Sequence, residues 1–162
     1  MNRQNVIVVL GERQWTLRAT CFASAMARSQ SGQVILVKMV PVRHSFVPGL
    51  REGYLALTKA EKRTFAELVA TAEAYGVHLA QAFRQYASYR EGLLEAAQLF
   101  GAMAVFVAFP ASRIPFWSRL RAWRLRTGLA QQGQTLYTLS SAGDEPEWIL
   151  SNIEESEPAS GA

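Results

Sequence analysis

Three short apolar runs rich in β-branched residues, each cut off by glycine or proline, most constrain what this chain can fold into. Asn5–Leu10 stops at Gly11, Gln33–Val40 stops at Pro41, and Ala102–Phe109 stops at Pro110. Runs of six to eight continuous apolar residues have no polar face, so they read as strands buried on both sides of a sheet. Between them the period changes to that of a helix. From Trp15 to Arg28, the residues Trp15, Ala19, Phe22 and Met26 recur every three or four positions, and Gly32 is placed to end that helix. Thr58 with Glu61 forms a capping box that opens a helix through Thr64, Phe65, Leu68 and Ala72, closed by Gly76. Val77–Tyr86 alternates as a third strand. Ser88 with Glu91 repeats the capping pattern ahead of Leu93, Leu94, Ala97 and Phe100. Phe116–Leu129 is helical in spacing, and Gln134–Leu139 alternates as a fifth strand.

Strands alternating with helices imply right-handed crossovers and a parallel sheet. The expected fold is therefore a small doubly wound α/β domain over residues 1–139, with a five-stranded parallel sheet and helices on both faces. Residues 140–162 form an acidic C-terminal tail, and residues 41–57 form a connection long enough for a lid or partner surface. The one cysteine, Cys21, excludes a disulfide framework and reads as a small core residue. No apolar run approaches the roughly 18 residues of a membrane span. The N-terminal run is too short for a signal peptide, so the expectation is a cytoplasmic protein.

The net charge of +4 conceals an uneven distribution. All 17 Lys and Arg lie in residues 1–139, against seven acids there, whereas residues 140–162 hold six acids and no base. The segment Arg113–Arg126 carries five Arg beside Trp117 and Trp123, and no acid occurs between Glu95 and Asp144. On a helical wheel Phe116, Leu120, Trp123 and Thr127 share one face and Ala122, Leu125 and Leu129 lie nearly opposite, with arginines on both flanks. A helix apolar on two sides has room for two partners, one of them its own sheet. Trp117, Arg119, Arg121, Trp123 and Arg124 are thus the candidate partner surface, for a protein or an anionic membrane; the bland alternative is a core helix with snorkelling arginines. Nucleic acid ranks below these, because the acidic tail would compete with phosphate and no nucleic-acid motif accompanies the patch.

The chain resembles the universal stress protein family over about residues 5–139. The resemblance rests on Val6–Leu10 followed by a helix carrying Ala19 and Ala23, on Gly32–Pro41 with its Val-Pro ending, and on Leu93–Ala108 with its Gly-Ala turn. It implies an adenine nucleotide alpha hydrolase-like fold, a homodimer paired through the last strand, and a cytoplasmic stress-response role. Many members bind ATP through an Asp after strand one and a Gly-x2-Gly-x9-Gly-Ser/Thr run after strand four. By position these fall on Gly11 and on Ala108, Ala111 and Arg121-Ala122, so the usual phosphate loop is not reproduced.

In a doubly wound sheet the ligand crevice lies beyond the carboxyl ends of the strands, where the strand order reverses. The order expected here reverses between strands one and four. The candidate crevice residues are Gly11, Glu12, Arg13, Val40, Ala108, Pro110 and Arg113, with Glu12 for ribose hydroxyls and the arginines for phosphate. Their alternative reading is a solvated loop. No dinucleotide fingerprint, Walker loop or nucleophile elbow is present. His44 and His78 stand apart, in a loop and a strand. The expected function is a non-catalytic binding or regulatory module without a metal or the family's usual cofactor, acting through dimerisation and the Trp/Arg helix. The alternative is a small-ligand binder with a remodelled crevice taking ATP or AMP.

Overall fold

A computed structural model describes residues 4–42, 56–109 and 115–139. Within these, β1 (Asn5–Val9), α1 (Arg13–Ser29), β2 (Val34–Pro41), α2 (Lys59–Ala74), β3 (Leu79–Tyr86), α3 (Tyr89–Leu99), β4 (Ala102–Phe106), α4 (Pro115–Gln131) and β5 (Thr135–Tyr137) follow in chain order. The strands form one parallel sheet in the order β3-β2-β1-β4-β5. β1 lies at its centre, pairing Val6 with both Val34 and Ala104.

Strand alternation divides the apolar residues between two cores. Val6, Val8, Val34, Leu36, Ala104 and Phe106 meet α1 and α2 on one face through Trp15, Ala19, Ala23, Leu68 and Ala72. Ile7, Val9, Ile35, Val37 and Val105 meet α3 and α4 on the other through Leu93, Ala97, Leu125 and Leu129. A fully buried side chain such as Ile7 contributes roughly 1.5–3 kcal/mol.

The buried face of α1 differs from the expected one. Phe22 is exposed, Cys21 and Met26 are half-buried, and the sheet instead meets Ala19, Ala23 and Ala27 beside Thr16, Thr20 and Ser24. Small side chains let the helix lie close to the strands. Its C-terminus also departs from expectation. Ser31, not Gly32, takes the positive φ of 53°, while Gly32 lies where a Cβ would fall 1.9 Å from the Gln4 carbonyl oxygen. Glycine is needed there for space. The Thr58–Glu61 capping box is present, but Ser88 makes no side-chain cap bond. β3 begins at Leu79, leaving His78 exposed just before it. β4 ends at Phe106; the Val107 amide still donates to the Tyr137 carbonyl oxygen at 3.1 Å, and Ala108 and Phe109 leave the sheet earlier than the apolar run implied. Most of the expected lid, His44 and the acidic tail lie outside the described residues.

Candidate functional site

The reversal of strand order falls between β1 and β4, as expected. Gly11 and Ala108 meet there: a Cβ on Gly11 would lie 3.4 Å from that of Ala108. The neighbouring candidates are engaged in structure. Glu12 is the N-cap of α1, its two carboxylate oxygens accepting from the Gln14 and Trp15 amides at 3.0 and 3.1 Å. Those two bonds hold its pKa below the usual carboxylate range, against a small opposing effect of burial and with help from the Arg13 charge. Arg13 donates to Glu67 of α2 at 2.6 Å. Val40 is buried near the end of β2. Pro110 and Arg113 lie outside the described residues.

A cavity of about 510 Å³ opens beside this point on the α3/α4 face, lined by Tyr86, Tyr89, Arg90, Ala108, Phe109, Arg121, Arg124 and Leu125. Tyr86 ends β3, Tyr89 and Arg90 begin α3, Ala108 and Phe109 follow β4, and the other three lie on α4. It therefore sits at the carboxyl end of the sheet. Of the sequence candidates it brings together Ala108, Arg121 and Arg124. Phe109, which continues the expected crevice from Ala108 towards Arg113, lines it too, whereas Tyr86, Tyr89 and Arg90 were not among the candidates. These three stand at the carboxyl end of the edge strand β3 and the start of α3, away from the reversal, so the rule that singled out the ends of strands one and four did not reach them.

Local packing holds these groups in place. The Tyr86 and Tyr89 rings meet edge to face with centroids 5.3 Å apart. Burial, with the neighbouring Tyr86 adding to it, pushes the Tyr89 hydroxyl up to about 12, so it stays a neutral donor at physiological pH. The Arg90 Nε donates to the Arg124 carbonyl oxygen at 3.4 Å, tying α3 to α4. Gly128 makes the approach close: a Cβ there would meet the Arg90 guanidinium at 3.0 Å and Leu94 at 3.1 Å. Gly92 admits Tyr86 in the same way, since a Cβ would fall 2.6 Å from that of Tyr86.

Three arginines thus line one cavity, and none of them makes an ion pair among the described residues. The described lining holds no carboxylate to neutralise them. Arginine forks pair with phosphate or carboxylate oxygens, and the aromatic walls suit a planar ring. Among the described residues no group of three or more His, Cys, Asp or Glu is placed to hold a metal ion.

α4 presents the two apolar sides read from its sequence. Leu125 and Leu129 are buried against the sheet, whereas Phe116, Trp117 and Trp123 are 67%, 51% and 62% exposed. Among the described residues no helix is long and apolar enough to cross a membrane.

No family model matches the chain, and no curated protein matches it. Solved structures do. A universal stress protein in complex with cAMP aligns with a TM-score of 0.61 at 15% identity, covering 88% of this chain and 100% of that one. Universal stress protein UspA from Lactobacillus plantarum aligns at 0.59 and 12% identity, covering 86% and 99%. The universal stress protein from Archaeoglobus fulgidus in complex with dAMP aligns at 0.52 and 14% identity, covering 85% and 98%. The chain has the universal stress protein fold.

Proposed function

We propose that the protein is a non-catalytic binding module that holds a phosphorylated small ligand of adenine-nucleotide size in the arginine-bordered cavity. The observation that carries this reading is the convergence of Arg90, Arg121 and Arg124 on a cavity of about 510 Å³ with Tyr86, Tyr89 and Phe109 in its wall. Ligand pockets of drug-sized molecules span roughly 300–1,000 Å³ and combine apolar walls with a few convergent polar groups. Two of the positions onto which the family's phosphate run falls, Ala108 and Arg121, border this cavity. Arginine side chains here take the part that backbone amides play in a glycine-rich loop. The cAMP and dAMP held by proteins of the same fold agree with an adenine nucleotide as the ligand.

The same reading includes a homodimer. β5 stands at one edge of the sheet, its outer backbone groups unpaired within the described sheet, and edge pairing with a second copy would satisfy them.

Isothermal titration of the full chain with AMP, ATP and pyrophosphate tests the ligand. Saturable binding of at least one, weakened tenfold or more in R121A/R124A with the fold intact by circular dichroism, is expected. Binding of none, or binding unchanged by that pair of substitutions, overturns it.

A further inference from the structure

The outward side of α4 is an apolar stripe bordered by positive charge. Phe116 and Trp123 stand exposed with half-buried Leu120 between them, Arg119 and Arg126 run along one flank, and Arg121 and Arg124 along the other. None of these four arginines makes an ion pair among the described residues. Something that is apolar in its middle and acidic at both ends would complement this surface in shape and in sign.

The chain contains such a segment. Trp148, Ile149, Leu150 and Ile153 are preceded by Asp144, Glu145 and Glu147 and followed by Glu154, Glu155 and Glu157. We propose that this C-terminal segment covers the outward side of α4 in its own chain, with Trp148–Leu150 on Phe116, Leu120 and Trp123, and the two acidic groups against the arginine flanks.

Reach and tethering favour this occupant over an external one. Leu139 follows β5 at the carboxyl end of the sheet, where its carbonyl accepts from the Trp15 indole at 3.3 Å. α4 starts at that same end, because it leads from β4 back to the start of β5. Trp148 lies nine positions after Leu139, a span of at most about 30 Å when extended. The 17 residues of α4 rise about 25 Å. A tether this short gives an effective concentration of order millimolar, so the contact forms even when each ion pair is weak. An acidic protein or an anionic membrane must displace the segment before it meets the helix.

The test is an NMR comparison of the labelled full chain with W148A/L150A, made without nucleotide so that it is independent of the cavity's ligand. The two substitutions lie outside the described residues, so every side chain of the two described cores is unchanged. In the wild-type chain residues 145–155 are expected to show heteronuclear NOEs close to those of the strands, falling sharply in the variant. The indole signals of Trp117 and Trp123 and the amides of 116–127 shift at the same time, at any protein concentration, and raised salt reproduces part of the change. Identical α4 signals in the two proteins overturn the proposal, as do low NOEs for 145–155 in the wild type. Shifts that grow with protein concentration also overturn it, assigning the surface to the segment of a second copy. Equal binding of both proteins to vesicles of phosphatidylglycerol and phosphatidylcholine would mean that the helix was never covered.

Discussion

The two faces of the sheet differ in how many of their charged side chains take part in caps and ion pairs. On the α1/α2 face, charges complete the structure. Arg13 bonds Glu67 at 2.6 Å, Lys38 bonds Glu61 at 2.7 Å, and Glu12 and Thr58 cap the two helices. On the α3/α4 face, Arg84 bonds Glu95 at 2.8 Å, while Arg90, Arg119, Arg121, Arg124 and Arg126 make no ion pair among the described residues. α4 contains no acid of its own to pair with its arginines. Guanidinium groups that are not paired among the described residues are left for a ligand, a partner or the C-terminal segment, and the cavity lies on that face.

The contrast concerns charge and not packing, which gives the largest expected effect. Leu68 of α2 and Leu129 of α4 are both fully buried, one in each core. Leu68→Ala and Leu129→Ala should each cost about 2–5 kcal/mol in chemical denaturation, since each removes buried apolar volume and leaves a cavity. Trp123→Ala, on the outward side of the same helix, should cost far less. Equal costs for Leu129→Ala and Trp123→Ala would mean that α4 is not packed as an integral part of the domain.

How much of this was legible in the sequence follows the same division. Continuous apolar runs announced β1, β2 and β4 because a strand buried on both faces has no polar positions to confuse the period. The two-sided character of Phe116–Leu129 was legible too, since Leu125 and Leu129 lie opposite Phe116 and Trp123 on any helical wheel. The buried face of α1 was misread because hydrophobic size was taken as the guide. A helix lying close to a sheet buries its small residues, and Ala23 with Thr20 displaced Phe22. The cavity was legible only in pieces. Arg90 and Arg121 are 31 positions apart, and nothing in local spacing brings α3 against α4; the strand order does.

A smaller effect probes the cavity wall. In Gly92→Ala the new Cβ falls 2.6 Å from that of Tyr86 and 3.3 Å from the Met39 methyl. The Tyr86 contact is at the root of its side chain, so no rotamer relieves it, and α3 or the end of β3 must move. Such overpacking costs about 1–3 kcal/mol, less the roughly 1 kcal/mol by which alanine favours a helix over glycine. Because Tyr86 lines the cavity, nucleotide binding should weaken as well. A stable Gly92→Ala protein with unchanged binding would show that Tyr86 does not shape the site.

The smallest effect comes from acid, and it sharpens the comparison most directly. Amide bonds from Gln14 and Trp15 hold Glu12 low. Burial pushes Glu61 up, but its bonds to Lys38 and to the Thr58 amide outweigh this and leave it low as well. A carboxylate whose folded pKa is depressed contributes stability that is present above its unfolded value and lost as pH falls through the folded one. Acidification below the usual carboxylate range should therefore loosen the starts of α1 and α2, whereas α3, whose Ser88 makes no side-chain cap bond, has no such cap to lose. The effect is modest because both carboxylates face solvent in part. An NMR titration checks it: the Gln14, Trp15 and Thr58 amides should shift with midpoints below that range. Midpoints at or above it would free those carboxylates from their structural part and remove the distinction between the two faces.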